Sequence, residues 1–265
     1  MTVTIGFIGV GNMGGALACA AAAGGANVLL ANRTERKAID LAAKIGGTVC
    51  SNEQISRTAD YIFLGVKPQQ YPELLSELSA TLAARTDRFV LVSMAAGVRI
   101  ESVRQMAGGQ YPIVRIMPNL PVQVGEGMVI YCSDGVDGGQ LDNLLGAMKQ
   151  AGTWDSVDEN LIDAGSALSG CGPAFVYMFI DALTEGAVKC GLPREKAVQY
   201  AIMTVKGAAA LASMSDKTPA ILCDAVCSPA GSTIEGVKSL RNDRFDDTVM
   251  AAVAASYKRT VELGK

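Results

Sequence analysis

The stretch 5–31 contains no charged residue, and this feature most limits what the 265-residue chain can become. A run of that length could cross a bilayer. Glycines interrupt it at Gly6, Gly9, Gly11, Gly14, Gly15, Gly24 and Gly25, and no Lys or Arg precedes it as a secretory leader requires. A buried strand, a glycine turn and a buried helix account for the same residues. Residues 3–8 form a short apolar run ending in glycine, 11–23 is alanine-rich and suits a closely packed helix, and 27–31 reads as the next strand. Gly9-Val10-Gly11-Asn12-Met13-Gly14 is the G-x-G-x-x-G of a dinucleotide-binding turn, in its expected strand–turn–helix setting. Gly9 permits the tight turn, Gly11 lets backbone approach a pyrophosphate, and Gly14 lets the helix pack close to the sheet. The helix start at Asn12 and Met13 offers N–H groups and positive potential to the phosphates.

Strand and helix signals then alternate. Residues 35–45 show helical spacing and stop at Gly46-Gly47. Further strands are expected at 61–66, 89–93, 113–117 and 128–132, and helices at 71–82 and 141–151. Such alternation predicts a parallel sheet covered on both faces. After about Val157 the pattern changes. No convincing strand follows Asp158, and 173–190, 194–214 and 244–263 read as helices, with Gly191-Leu192-Pro193 punctuating the first two. The fold class is therefore α/β, with a Rossmann-like doubly wound sheet over 1–157 followed by an all-α domain over 158–265. The segment 173–180 is apolar nearly all round, so it must be buried on every side. A domain of roughly a hundred residues has little interior to hide it in, which predicts that a second copy completes the domain.

Composition narrows the chemistry. Lys plus Arg is 23 and Asp plus Glu is 26, so the net charge of −3 provides no overall basic field for nucleic acid or an anionic membrane. The chain has no histidine, which removes the usual general base and the usual zinc ligand, and no metal is expected. Seven cysteines stand singly, the closest pair being Cys223 and Cys227, a usage that fits reduced thiols in the cytoplasm.

The end of the second strand selects the dinucleotide. An NAD enzyme usually places a carboxylate there to hold the ribose 2′-hydroxyl. Here it reads Ala31-Asn32-Arg33-Thr34, with no carboxylate to repel a 2′-phosphate, an arginine to pair with it, and two side chains able to donate hydrogen bonds. NADPH is the expected cofactor, with NADH as a permitted second. Ligands in such sheets sit at the carboxyl ends of strands. Three more ends read Val66-Lys67-Pro68-Gln69, Ser93-Met94-Ala95-Ala96-Gly97 and Met117-Pro118-Asn119, the small residues and proline turn that a flat cofactor needs beside it. Asn119 is placed to border the nicotinamide, and Lys67 either faces the cofactor or supports its turn.

With these residues in place the chain resembles the pyrroline-5-carboxylate reductases. The strings are GFIGVGNMG from Gly6, VKPQ from Val66, SMAAGV from Ser93, RIMPNLPVQVGEG from Arg115, LSGCGPAF from Leu168 and DAVCSPAGST from Asp224. They occur in order across nearly the whole chain, and the last is the most specific. The resemblance implies reduction of the cyclic imine 1-pyrroline-5-carboxylate to L-proline. It further implies a helical domain that dimerises by interleaving with its copy, often within decamers, and an active site formed between one subunit's cofactor and the other's helical domain. It assigns the substrate carboxylate to Ser228 and the backbone around Gly231, Ser232 and Thr233, and the ring nitrogen to the Thr233 hydroxyl. Asp216 resembles an acidic position beside the substrate, and Asn52 one beside the adenosine ribose. The chain departs from the pattern at Ala230, where glycine is common and a positive φ would strain alanine, and at Cys171, where serine is usual.

The chemistry agrees with the composition. A protonated iminium is already electrophilic, so its reduction needs neither a metal nor a strong base. A helix cap would also account for Ser and Thr in the 228–233 turn, and a solvated charge for Asp216. A β-hydroxyacid dehydrogenase or ketopantoate-type reductase would share the two-part plan and use Lys189, Lys196 or Lys206, but leaves that turn unexplained. An NADP-binding sensor without turnover is the non-enzymatic alternative.

Overall fold

The computed structural model describes residues 2–263. The uncharged run folds as strand, helix and strand: β1 (Thr4–Ile8), α1 (Asn12–Ala23) and β2 (Asn27–Ala31). Small side chains let α1 lie close to the sheet, and Ala16, Leu17, Ala18, Ala20 and Ala21 are buried there. The chain continues through α2 (Glu35–Ile45), β3 (Thr48–Val49), α3 (Asn52–Thr58), β4 (Tyr61–Leu64), α4 (Tyr71–Ala83), β5 (Val90–Ser93), α5 (Ile100–Ala107) and β6 (Ile113–Met117). Next come β7 (Gly127–Asp134), α6 (Gly138–Ala147) and β8 (Gly152–Ser156). Gly46 ends α2 at φ 73°, the left-handed exit expected of that glycine.

The strands form one sheet in the order β3-β2-β1-β4-β5-β6-β7-β8. Two apolar layers cover it, one containing Phe7, Leu17, Leu30 and Val92, the other Leu64, Leu75, Leu91 and Ile113. The expected parallel sheet is found from β3 through β6 and changes at one edge. β7 runs antiparallel to β6, and β8 runs parallel to β7. The reason is the length of the connection: the few residues from Met117 to Gly127 cannot hold the crossover of a dozen or more that a parallel pair requires. The expected helix at 141–151 instead starts at Gly138 and stops at Ala147, freeing Gly152 to begin an unpredicted strand.

Beyond the sheet lie a short α7 (Ile162–Gly165), one wide helical turn at Ser166–Gly170, and then α8 (Gly172–Lys189), α9 (Arg194–Ser213), α10 (Pro219–Val226), α11 (Ser232–Asn242) and α12 (Phe245–Leu263). No strand occurs after Asp158 among the described residues. The chain forms two compact units. One holds the sheet, runs to Cys171 and takes in the end of α12 from Ser256; the other is Gly172–Ala255. The boundary expected at 157/158 coincides with the end of β8 at Ser156, but the first compact unit runs on to Cys171. Residues 158–163 are tied to the sheet by buried Ile162 and by Arg115 on β6, only 1% exposed, which pairs with Asp163 at 2.6 Å and with Glu159 at 3.4 Å. Glu159 also accepts the Ile100 N–H at 2.7 Å.

The second unit packs α8 along α9, and the Phe179 and Phe245 rings meet at 6.0 Å. Its apolar surface is open. Tyr177 is 54% exposed and Met178 72% on α8, with Met203 and Leu211 exposed on α9. The all-round apolar segment expected to be buried is thus uncovered in a single chain.

Candidate active site

One candidate site lies at the carboxyl ends of β1, β2, β4, β5 and β6. Gly9 leaves β1 at φ +101°, and its N–H donates to the Ala31 carbonyl at 2.8 Å. A Cβ on Gly14 would collide with the Gly9 carbonyl oxygen, and so would one on Gly65. Gly14 and Gly65 therefore permit two close approaches to one peptide. Gly65 had no sequence motif to mark it and falls inside the strand expected at 61–66, which ends instead at Leu64. Gly11 faces open space, and no side chain caps α1, so the N–H groups at Asn12 and Met13 are free for an anion.

Asn32 is committed differently from expectation. Its Oδ1 accepts the Val10 N–H at 3.1 Å and its Nδ2 donates to the Thr34 carbonyl at 3.0 Å, so it braces the glycine turn from the end of β2. Arg33 is exposed and has no ion-pair partner among the described residues. Thr34 occupies the N-cap position of α2 without using its hydroxyl there. Ser51 caps α3 by accepting the Gln54 N–H at 3.0 Å, which leaves the Asn52 side chain free of that duty.

Lys67 is exposed, and its N–H donates to Gln70 Oε1 at 3.2 Å, closing the turn at Val66 and Pro68. Ala95 is buried, Ala96 half-buried, and Gly97 turns at φ +75°. Asn119 follows β6 as expected, but its amide is spent inside the protein. Nδ2 donates to the Ser169 carbonyl at 3.0 Å and Oδ1 accepts the Met128 N–H at 2.9 Å. It fixes the wide turn before α8 onto β7.

Another candidate site belongs to the helical unit. α10 ends at Val226, and a turn carries the chain through Ser228 to the start of α11, with the Gly231 N–H donating to the Ser228 carbonyl at 3.0 Å. A Cβ on Gly231 would strike Ser228 Oγ, so the hydroxyl lies over Gly231 at the mouth of α11. Gly231 itself is the N-cap and no side chain caps the helix, so Ser232 and Thr233 are not used as caps. Both are exposed, and the helix start presents open N–H groups, partial positive charge and hydroxyls suited to a carboxylate. Ala230 adopts φ +55°, the positive φ that would strain an alanine here, at a cost of roughly 1–2 kcal/mol. Asp216 sits exposed in the loop between α9 and α10, and Cys171, half-buried, directly precedes α8. Lys189, Lys196 and Lys206 are all exposed, and no group of acidic and thiol side chains able to hold a metal occurs among the described residues.

Comparison with known proteins covers the whole chain. A family model described as "Pyrroline-5-carboxylate reductase dimerisation" matches residues 159–263, and one described as "NADP oxidoreductase coenzyme F420-dependent" matches 4–97. The pyrroline-5-carboxylate reductase of Corynebacterium melassecola is 36% identical over 99% of this chain and 99% of that protein. A solved pyrroline-5-carboxylate reductase from Coxiella burnetii superposes with a TM-score of 0.91 at 31% identity, covering 100% of both chains. That of Plasmodium falciparum, solved with NADP bound, gives 0.88 at 32% identity, covering 99% of this chain and 98% of that one.

Proposed function

This chain belongs to the pyrroline-5-carboxylate reductase family, and from that membership we infer that it makes proline by reducing 1-pyrroline-5-carboxylate with NAD(P)H. The observation that carries the reading is the uncapped start of α11 with the Ser228 hydroxyl over Gly231, an anion cradle bearing a hydroxyl donor beside it. Imine reduction needs a hydride at carbon and a proton at nitrogen. A reduced nicotinamide supplies the hydride when bound. The chain has to bind, orient and protonate, tasks within reach of a protein without histidine.

The residues fit a dinucleotide. The open space at Gly11, the uncapped α1 and the absence of a carboxylate at the end of β2 suit a pyrophosphate and a 2′-phosphate. We assign Gly9, Gly11, Asn12, Met13 and Gly14 to the pyrophosphate, Arg33 and Thr34, with Asn32 bracing them, to the adenosine phosphate, and Asn52 to the ribose. The loops at Val66, Lys67 and Pro68, at Ala95, Ala96 and Gly97, and at Asn119 take the nicotinamide half. Residues 1–157 thus serve the cofactor and 158–265 the substrate and the dimer. NADPH is preferred over NADH because Arg33 is free to pair with the extra phosphate. Arg33→Ala should raise the KM for NADPH about fivefold, an exposed pair being worth little more, and leave that for NADH unchanged. Equal effects on both would remove the assignment.

For the substrate, the Ser228 hydroxyl and the backbone N–H groups around Gly231, Ser232 and Thr233 hold the carboxylate. We assign the Thr233 hydroxyl to the ring nitrogen, and Asp216 to the substrate by the family resemblance. The exposed apolar faces of α8 and α9 support a homodimer through the helical unit, with a decamer as the larger assembly the resemblance allows. Sedimentation at micromolar concentration should give at least a dimer; a monomer would remove this proposal. The helical run 159–189 is long and apolar enough to cross a membrane, but it coincides with the start of the dimerisation match, so a second copy is its proposed cover and neither membrane nor nucleic acid is a partner. All seven cysteines are free, in keeping with the cytoplasm. The decisive assay follows NADPH oxidation on addition of 1-pyrroline-5-carboxylate, with keto-acid and hydroxy-acid substrates as controls. Turnover of the keto acids but not the imine would defeat the reading.

A further inference from the structure

Tyr71, which no sequence signal marked, is wholly buried at the first residue of α4. Its hydroxyl donates to the Leu64 carbonyl at 2.8 Å and accepts from the Ser93 hydroxyl and the Met94 N–H, each at 3.3 Å. Leu64 ends β4 and Ser93 ends β5, and the two are paired in register as the last rung of that ladder. Past this rung nothing in the ladder holds the strands together, and the loops 65–68 and 94–97 begin there. Burial pushes the phenol up to about 12, so the hydroxyl stays protonated and able to donate throughout the neutral range. A phenylalanine would fill the same space. What the hydroxyl adds is a clamp across two loop stems at the end of the sheet where doubly wound folds bind ligands.

We propose that Tyr71 is a positioning residue for the nicotinamide half of the dinucleotide, fixing the gap between the loops that follow β4 and β5. This rests on the reading of those loops given above. The test measures Kd by calorimetry, without imine, for NADPH and for adenosine 2′,5′-bisphosphate, a fragment that keeps the phosphorylated adenosine and lacks the nicotinamide. Tyr71→Phe should raise the Kd for NADPH about fivefold and leave that for the fragment unchanged, because only the nicotinamide cradle loses its preorganisation. Ala96→Phe, which fills the loop after β5, should weaken NADPH further and again spare the fragment. An unaltered NADPH Kd in Tyr71→Phe beside a weakened one in Ala96→Phe overturns the proposal and leaves the loop reading standing. An unaltered Kd in Ala96→Phe overturns both. Equal loss of both probes in Tyr71→Phe marks a general loosening and overturns the positioning role. Should Tyr71→Phe fail to fold, Ser93→Ala keeps the phenol and removes one of its donors. It should weaken NADPH about twofold by the same loosening, and no change there overturns the proposal.

Discussion

An enzyme carrying Thr233→Ala should lose ten- to a hundredfold in kcat/KM for the imine while binding NADPH as before. Thr233 is the second residue of α11, exposed, and it does not cap its own helix. Its hydroxyl is therefore free for a ligand, and the neighbouring backbone N–H groups would hold that ligand's carboxylate. In the transition state the ring nitrogen changes from iminium to amine, and a hydroxyl aimed at it can orient the ring and deliver or receive a proton. Loss of one such bond is worth ~1.4 kcal/mol, a factor of ten, and loss of a proton-transfer role adds to it. Thr233→Ser should keep most of the rate, since it retains the hydroxyl. Steady-state kinetics on the imine, with NADPH affinity measured separately, decides the matter. Full activity in Thr233→Ala would dismiss the residue from the mechanism, and a matching fall in cofactor affinity would mean that the substitution damaged more than the turn.

The second large effect concerns stability. Arg115 is 1% exposed and is held by Asp163 and Glu159, whose side chains are 19% and 28% exposed. Its Nε has no hydrogen-bond partner among the described residues. Removing Asp163 leaves a buried guanidinium with only the longer pair to Glu159. A fully buried pair broken in this way loses ~3–5 kcal/mol, and partial hydration of Asp163 reduces the expected loss for Asp163→Ala to ~2–3 kcal/mol. Removing the charge itself costs less. In Arg115→Met the apolar chain fills the space, the unpartnered Nε disappears, and the carboxylates can turn toward water, for a loss under ~1.5 kcal/mol. Urea denaturation of the three proteins gives the order directly. If Arg115→Met proved the worse variant, the pair would be a net stabiliser rather than a tether with a desolvation cost. The tether matters because it fixes α7 to the sheet, and Asn119 then holds the wide turn at Ser169 to β7. Both bonds fix the chain near the end of the first unit.

Much of the first unit was legible because its signals are short-range. Asn27–Ala31 and Ile113–Met117 appear with the bounds expected of them, since apolar runs stopped by turn residues need no distant partner to be recognised. The positive φ of Ala230 meets the condition raised by the glycine common at that position in the family. The signals failed where the outcome depended on a distant neighbour. β8 is half polar and mostly exposed, so its pattern resembles a loop, and it is a strand because β7 is available to pair with it. β7 reverses because too few residues precede it, a fact countable in the sequence but outweighed by the alternation of the earlier elements.

The amino-acid order alone determined the glycine turn, the helix behind it, the lack of a carboxylate after β2, the change to all-helical chain, and the absence of histidine that confines the chemistry to groups such as hydroxyls and backbone amides. Each of these is set by the sterics and charge of adjacent residues. Only the tertiary structure decided that Gly65 shares a peptide contact with Gly14, that Asn32 and Asn119 serve as braces, that Arg115 is buried, and that Tyr71 clamps two strand ends. Those roles join residues distant in sequence, as in the bond from Asn119 to Ser169, 50 positions apart. A hydrogen bond across such a separation exists only after packing has chosen which surfaces meet, and no local pattern encodes that choice.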